Sequence, residues 1–163
     1  MKIQKKNIAI FVALLFHISG AIGILFSPYK DWFVQNTPLN LCLMAALLLY
    51  TQEQKNKWFY LFAILAFSTG MITEIIGVNT GYLFGNYSYG SVMGIKLKGV
   101  PLLIGVQWFV TVFCCGSIMQ QLHQWLEKKY ESHGLMLSPK VQFASLIVDS
   151  ALLATTFDFI MEP

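Results

Sequence analysis

Charge is what this chain has least of. Only 12% of its 163 residues are Asp, Glu, Lys or Arg, while 56% are hydrophobic, and the mean hydropathy is +0.59. Soluble domains carry about a quarter charged residues, so this balance points away from a water-exposed globular fold and toward an integral membrane protein. There is no internal repeat, no low-complexity tract and no polar stretch long enough to form a soluble domain. Cysteine is limited to Cys42, Cys114 and Cys115, all inside apolar runs and without zinc-ligand spacing. They read as buried structural thiols. A P-loop glycine pattern, a haem motif and a Ser-His-Asp arrangement are also missing. No metal, no cofactor and no nucleic-acid partner is expected.

What is present is long apolar sequence. Ile8–Phe26, Trp58–Val78, Val100–Met119 and Val141–Met161 each approach or exceed the roughly 20 helical residues that cross a hydrocarbon core. A fifth run, Leu39–Tyr50, is shorter; extended back to Val34 it takes Pro38 into its first turns, where proline is tolerated. The expectation is an all-α polytopic transmembrane bundle of about five spans, forming one domain over residues 1–163. Lys2, Lys5 and Lys6 precede the first run as in a signal peptide, but that run continues to Phe26 and reads as an uncleaved span.

All eleven basic residues are lysines, and their placement orients the bundle. Five spans with the N-terminus inside put Lys2, Lys5, Lys6, Lys55, Lys57, Lys128, Lys129 and Lys140 in the cytoplasm, leaving Lys30, Lys96 and Lys98 outside. This is the positive-inside pattern of a multi-pass protein of the inner cell membrane, in contact with the lipid bilayer. The connection 123–140 reads as a helix end followed by a solvated cytoplasmic turn.

Glu74 stands near the end of the third apolar run. Hydrocarbon solvates charge poorly, so a carboxylate there is a functional candidate. Gly70, Glu74, Gly77 and Gly81 recur at spacings of four, three and four, on one helix face. Small residues let a neighbouring helix approach closely, which turns Glu74 toward protein rather than lipid. Ala151, Thr155, Asp158 and Glu162 repeat those spacings in the last run, whereas Asp149 lies about 180° from Asp158 and must look at a different neighbour. The third and fifth spans both run outward. Glu74, Asp158, Glu162 and the tyrosine- and glycine-rich loop 81–89 therefore share one membrane level, as an acid–base cluster or as interfacial helix-end groups. His17 shares a face with Ala13 and Gly20 and should point into the bundle, as a packing group or as part of a site. Gln107, Thr111 and Cys115 form a mildly polar stripe that helix-to-helix hydrogen bonding explains.

The run Glu74-x-x-Gly77-x-x-x-Gly81-x-x-Phe84-Gly85-x-Tyr87-x-Tyr89, followed by Gly99-Val100-Pro101 and Trp108, resembles the membrane carotenoid biosynthesis proteins, which include the γ-carotene and bisanhydrobacterioruberin hydratases. Asp158-x-x-x-Glu162-Pro163 is similar to that family's Asp-x-x-x-Asp-Pro element, with Glu replacing the second Asp. Family members continue beyond that element into a tryptophan-containing turn and a further hydrophobic segment, where this chain stops at Pro163. The resemblance then implies a shortened form, or one completed by another chain.

The resemblance also implies a carotenoid polyene substrate and addition of water to the terminal double bond of an acyclic end group. Glu74, Asp158 and Glu162 would be catalytic. Tyr82, Phe84, Tyr87, Tyr89 and Trp108, with His17, would line the substrate site. Lycopene cyclisation begins with the same protonation and is the alternative enzyme reading; a transport or assembly subunit is the non-enzyme one. A second copy of the chain or other carotenoid enzymes are the protein partners expected.

The lysine distribution makes a topological prediction. With single cysteines introduced in a cysteine-free background, an impermeant thiol reagent applied to intact cells should label Lys96→Cys and spare Lys55→Cys. Strong labelling at position 55 from outside would overturn the arrangement.

Overall fold

The computed structural model describes residues 2–83, 85–131 and 138–161. The chain divides into two compact units, Met1–Val110 and Thr111–Pro163. Helices dominate both: α1 (Lys2–Phe26), α2 (Lys30–Gln35), α3 (Thr37–Thr51), α4 (Lys57–Thr80), α5 (Leu102–Glu131) and α6 (Pro139–Met161). The fold class is the expected all-α polytopic bundle. Four helices (α1, α4, α5 and α6) are long and apolar enough to cross a membrane, and α3 is a shorter apolar helix.

The second apolar run departs from a single helix. Asn36 interrupts it, donating its side-chain amide to the Trp32 carbonyl at 2.8 Å, and Pro38 then opens α3 within its first two positions. Proline lacks an N–H that the first turn has no use for, so it starts a helix as readily as it would break one. Fifteen residues cover about 22 Å, less than the hydrocarbon core. Together, α2 and α3 still return to the level where α1 starts. Phe33 packs beside Gly23 near the far end of α1, while Lys5 sits 5.4 Å from the Tyr50 ring and Lys6 lies 4.0 Å from Glu53.

In the first unit α4 and the start of α5 pack antiparallel. Gly105 lies against Phe67 and Met71, Trp108 against Gly70, and Phe109 meets Phe62 and Phe59 edge-on at 6.3 and 5.9 Å. Met71, Val100 and Ile104 form the buried centre of this contact, with Phe67, Ile75, Val78, Met93 and Trp108 around it. The helices are joined through a small hairpin, β1 (Lys96–Leu97) and β2 (Val100–Pro101), in which Leu97 pairs with Val100. Its two-residue turn, Lys98–Gly99, has φ of 48° and 89°. Positive φ at both positions is the backbone of a tight turn matched to strand twist, and glycine takes the more extreme of the two without strain.

The cysteine expectation is corrected in part. Cys115 is buried, but Cys42 and Cys114 are exposed on their helices. A thiol is nearly apolar and lipid is as apolar as a protein core, so hydrophobicity alone does not separate the two faces.

The close approach at Gly70 carries a prediction. A Cβ there would stand 2.4 Å from the Trp108 ring, whereas nothing lies within 4 Å of one added at Gly20. Gly70→Leu should lower stability by about 1–3 kcal/mol, and Gly20→Ala should be neutral or stabilising by up to about 1 kcal/mol. Thermal unfolding in detergent measures both; an unchanged midpoint for Gly70→Leu would contradict the packing.

Candidate active site

Asn56 starts α4 by accepting the backbone N–H groups of Trp58 and Phe59. Six turns later Gly81 ends the helix in the left-handed conformation, at φ 70°. A side chain there would also collide with Asn86 Oδ1. The chain reverses, and Gly85, at φ 77°, helps bring it back over the helix end. Tyr87 and Tyr89 are two residues apart, and both direct their hydroxyls to the same target. Lys96 donates to the Tyr89 carbonyl, and Asn79 donates to Ile75 and Lys98 carbonyls at 2.7 and 3.1 Å. These bonds tie loop and hairpin to α4.

The target is Glu74, the buried charged residue of the core at 2% exposure. Tyr87 and Tyr89 donate to its Oε2 at 2.6 and 2.7 Å, and the Trp108 indole N–H donates to Oε1 at 3.0 Å. The two tyrosine rings meet edge-on at 5.5 Å. Gly70 and Gly77, one turn to either side of Glu74, are buried as well, and the missing side chain at Gly70 is what admits Trp108.

Three donors suit an ionised carboxylate. A neutral carboxyl would need one tyrosine hydroxyl turned round to accept its proton, while the indole can only donate. Among the described residues no cation pairs with Glu74. Burial of an unpaired charge is costly, and here neutral dipoles offset that cost without cancelling the charge. Tyr89 responds in turn. Burial, then its hydrogen bond to Glu74 and the charge of that group, push its phenol well above the ordinary tyrosine value, so it remains a neutral donor.

The structure gathers four of the residues expected at the site: Glu74, Tyr87, Tyr89 and Trp108. The polar atoms of the three aromatic side chains all turn on Glu74. Tyr82 is not with them; it is 91% exposed, just past the helix cap. His17 is corrected too. It is exposed, and its Nδ1 lies 2.9 Å from the Ala13 carbonyl of its own helix. Lipid and protein reward the same apolar faces, so helical phase alone did not reveal which side was inward. Phe84 and Glu162 lie outside the described residues. Asp158 belongs to the second unit, half-buried on α6, where Ala151 and Thr155 of its expected stripe are exposed.

Two braces, Asn79 and Lys96, escaped sequence reasoning. A polar residue in the last turn of a span was the available signal for Asn79. The second unit holds another unforeseen pair: His123 Nε2 lies 2.8 Å from Asp149 Oδ2. Asp149 does face a neighbour of its own, as its angle to Asp158 required.

A family model described as carotenoid biosynthesis protein matches residues 36–163. No curated protein and no solved structure matches the chain.

The raised Tyr89 phenol predicts how stability depends on pH. The folded protein holds that proton more tightly than the unfolded chain, whose tyrosines titrate near pH 10. The stabilisation is therefore complete below about pH 10 and is lost as pH climbs above it. Thermal midpoints in detergent should fall on the alkaline side, and Tyr89→Phe should flatten that fall. An equally steep fall in the Tyr89→Phe protein would remove Tyr89 from the cause.

Proposed function

The chain belongs to the carotenoid biosynthesis protein family, and from that premise we propose that it is a carotenoid hydratase of the inner cell membrane, adding water across the terminal double bond of an acyclic end group. The observation that carries this reading is the buried Glu74 carboxylate, surrounded by neutral donors and left with its charge uncancelled.

Hydration of a trisubstituted alkene begins when an acid donates a proton to the less substituted carbon. The π electrons form the new C–H bond, and a tertiary carbocation remains. Asp158, with Glu162, is the acid that the C-terminal motif implies. Glu74 is the charge that lowers the energy of the cation; a fixed anion in a water-poor site acts on developing positive charge far more strongly than in bulk water. Water then attacks the cation through oxygen, and the oxonium loses a proton. That proton passes to Glu74 through a tyrosine hydroxyl, which accepts it on oxygen while handing its own hydrogen to Oε2. The net change is one water added. The proton on Glu74 exchanges with solvent and the acid is recharged before the next turnover. The polyene enters from the bilayer, and the aromatic faces of Tyr87, Tyr89 and Trp108 offer it contact area.

Glu74→Gln keeps the size of the side chain but removes the charge and the base. Its amide nitrogen also places a donor among donors. In a host that makes acyclic carotenoids, the unaltered chain should yield hydroxylated carotenoid. Glu74→Gln should lose about 10²- to 10⁴-fold of that activity at equal protein level. Tyr87→Phe and Tyr89→Phe, each removing one donor of three, should be milder. Chromatographic retention and mass of the extracted pigments read the result. Normal hydration by Glu74→Gln would remove this residue from the mechanism, and a ring-closed product would replace hydration with cyclisation.

A further inference from the structure

The hairpin that joins α4 to α5 is apolar on its outside. Its strands differ in burial: Val100 and Pro101 of β2 are fully buried, whereas β1 is exposed along its length. Ile95, just before β1, is 79% exposed, and Leu97 is 52% exposed. β1 is thus the outer edge of the hairpin. A bare apolar edge in water is a template for pairing with other chains, which soluble proteins blunt with charge or proline. The lysine of this edge, Lys96, instead turns its ammonium to the Tyr89 carbonyl.

The position of the hairpin identifies what covers that edge. Asn79 donates to the Lys98 carbonyl at 3.1 Å, and a Cβ on Gly99 would stand 3.3 Å from Val78. The turn therefore lies beside the last turn of α4 and not above it. On the other side, the backbone N–H of Leu102, which opens α5, donates to the Ile95 carbonyl at 2.9 Å. The 24 residues of α4 cover about 36 Å, so its last turn reaches just past a hydrocarbon core of roughly 30 Å. Ile72, Ile76, Asn79 and Thr80 form an exposed stripe up that helix. Through Asn79 the stripe passes directly to the hairpin, so the apolar edge continues the lipid-facing surface of α4. Its depth is bounded on both sides. The outward backbone groups of β1 need hydrogen-bond partners, which the hydrocarbon centre lacks, and Ile95 and Leu97 need apolar surroundings. Lys98, exposed at the turn, places a cation at the level of the phosphates.

We propose that the hairpin is a membrane-interface anchor: β1, with Ile95 and Leu97, lies against phospholipid at the boundary between headgroups and acyl chains of the leaflet where α4 ends. The occupant of this surface is lipid, and a non-helical segment shares the bilayer with the spans. Nothing in this placement depends on the reaction carried out at Glu74.

The test uses the full chain in phosphatidylcholine nanodiscs. In a cysteine-free background, nitroxide labels go on Ile95→Cys and Leu97→Cys, with Ile72→Cys on the exposed stripe of α4 as the lipid reference and Lys55→Cys as the water reference. Collision rates with oxygen and with a water-soluble nickel chelate are measured by power saturation. The oxygen-to-nickel ratio at 95 and 97 should shift away from the Lys55 value and lie between the two references. A ratio equal to that at Lys55 places the hairpin in water and overturns the proposal. Exclusion of both reagents, with spin–spin broadening between chains, makes a second copy the occupant and overturns it as well. The unaltered chain supplies a second reading that no substitution can disturb. Phosphatidylcholine with a diazirine near the carboxyl end of its acyl chain should label the peptide holding residues 95–97, and the same lipid with the diazirine at the chain terminus should lose that labelling. Labelling by neither lipid, or by the deep one alone, refutes the placement.

Discussion

A carboxylate buried in an apolar bundle sets the terms for the first unit. Glu74 has almost no contact with solvent, and three neutral groups replace the water it has lost. Each donor comes from a different sequence position and needs its own support. Trp108 fits because Gly70 has no side chain. The tyrosines reach back because Gly81 can adopt a left-handed cap and because Asn79 and Lys96 hold the loop and hairpin. The glycines, the aromatics and the two-stranded hairpin are thus one device for solvating a single charge.

Dipoles and counter-ions solvate a carboxylate in different ways. A lysine or arginine beside Glu74 would have neutralised it and made a compact ion pair. Hydroxyl and indole donors lower the energy of the anion but leave its field extending beyond them. In the proposed hydration that field acts on the cation formed when a hydrocarbon end group, which offers no heteroatom of its own, takes up a proton.

Much of this was legible in the sequence, for identifiable reasons. Glu74 stood out because a charge in a long apolar run has few innocent explanations, and the glycine spacing placed it against a neighbour. The helical class followed from run lengths. The failures share a cause. His17 and the exposed cysteines were assigned to inner faces, yet lipid and protein interiors are equally apolar, so periodicity does not say which is which. Tyr82 was grouped with Tyr87 and Tyr89 by composition, but the left-handed glycines Gly81 and Gly85 determine where the loop goes, and composition does not encode a path. His123 falls in a stretch that reads as a solvated helix end, and α5 does continue to Glu131; the pairing with Asp149 is what only the fold shows. The break at Asn36 was hidden as well, since Pro38 suits a helix start as well as a helix interior's first turn.

The donors to Glu74 lie 13, 15 and 34 residues beyond it in the chain. Synthesis proceeds from the N-terminus, so α4 leaves the ribosome before anything that can satisfy its carboxylate exists. The carboxylate therefore has its full set of donors only once the loop and the first turns of α5 are in place, so α4 by itself is an incomplete unit whose polar residue the chain up to 34 residues further on must satisfy.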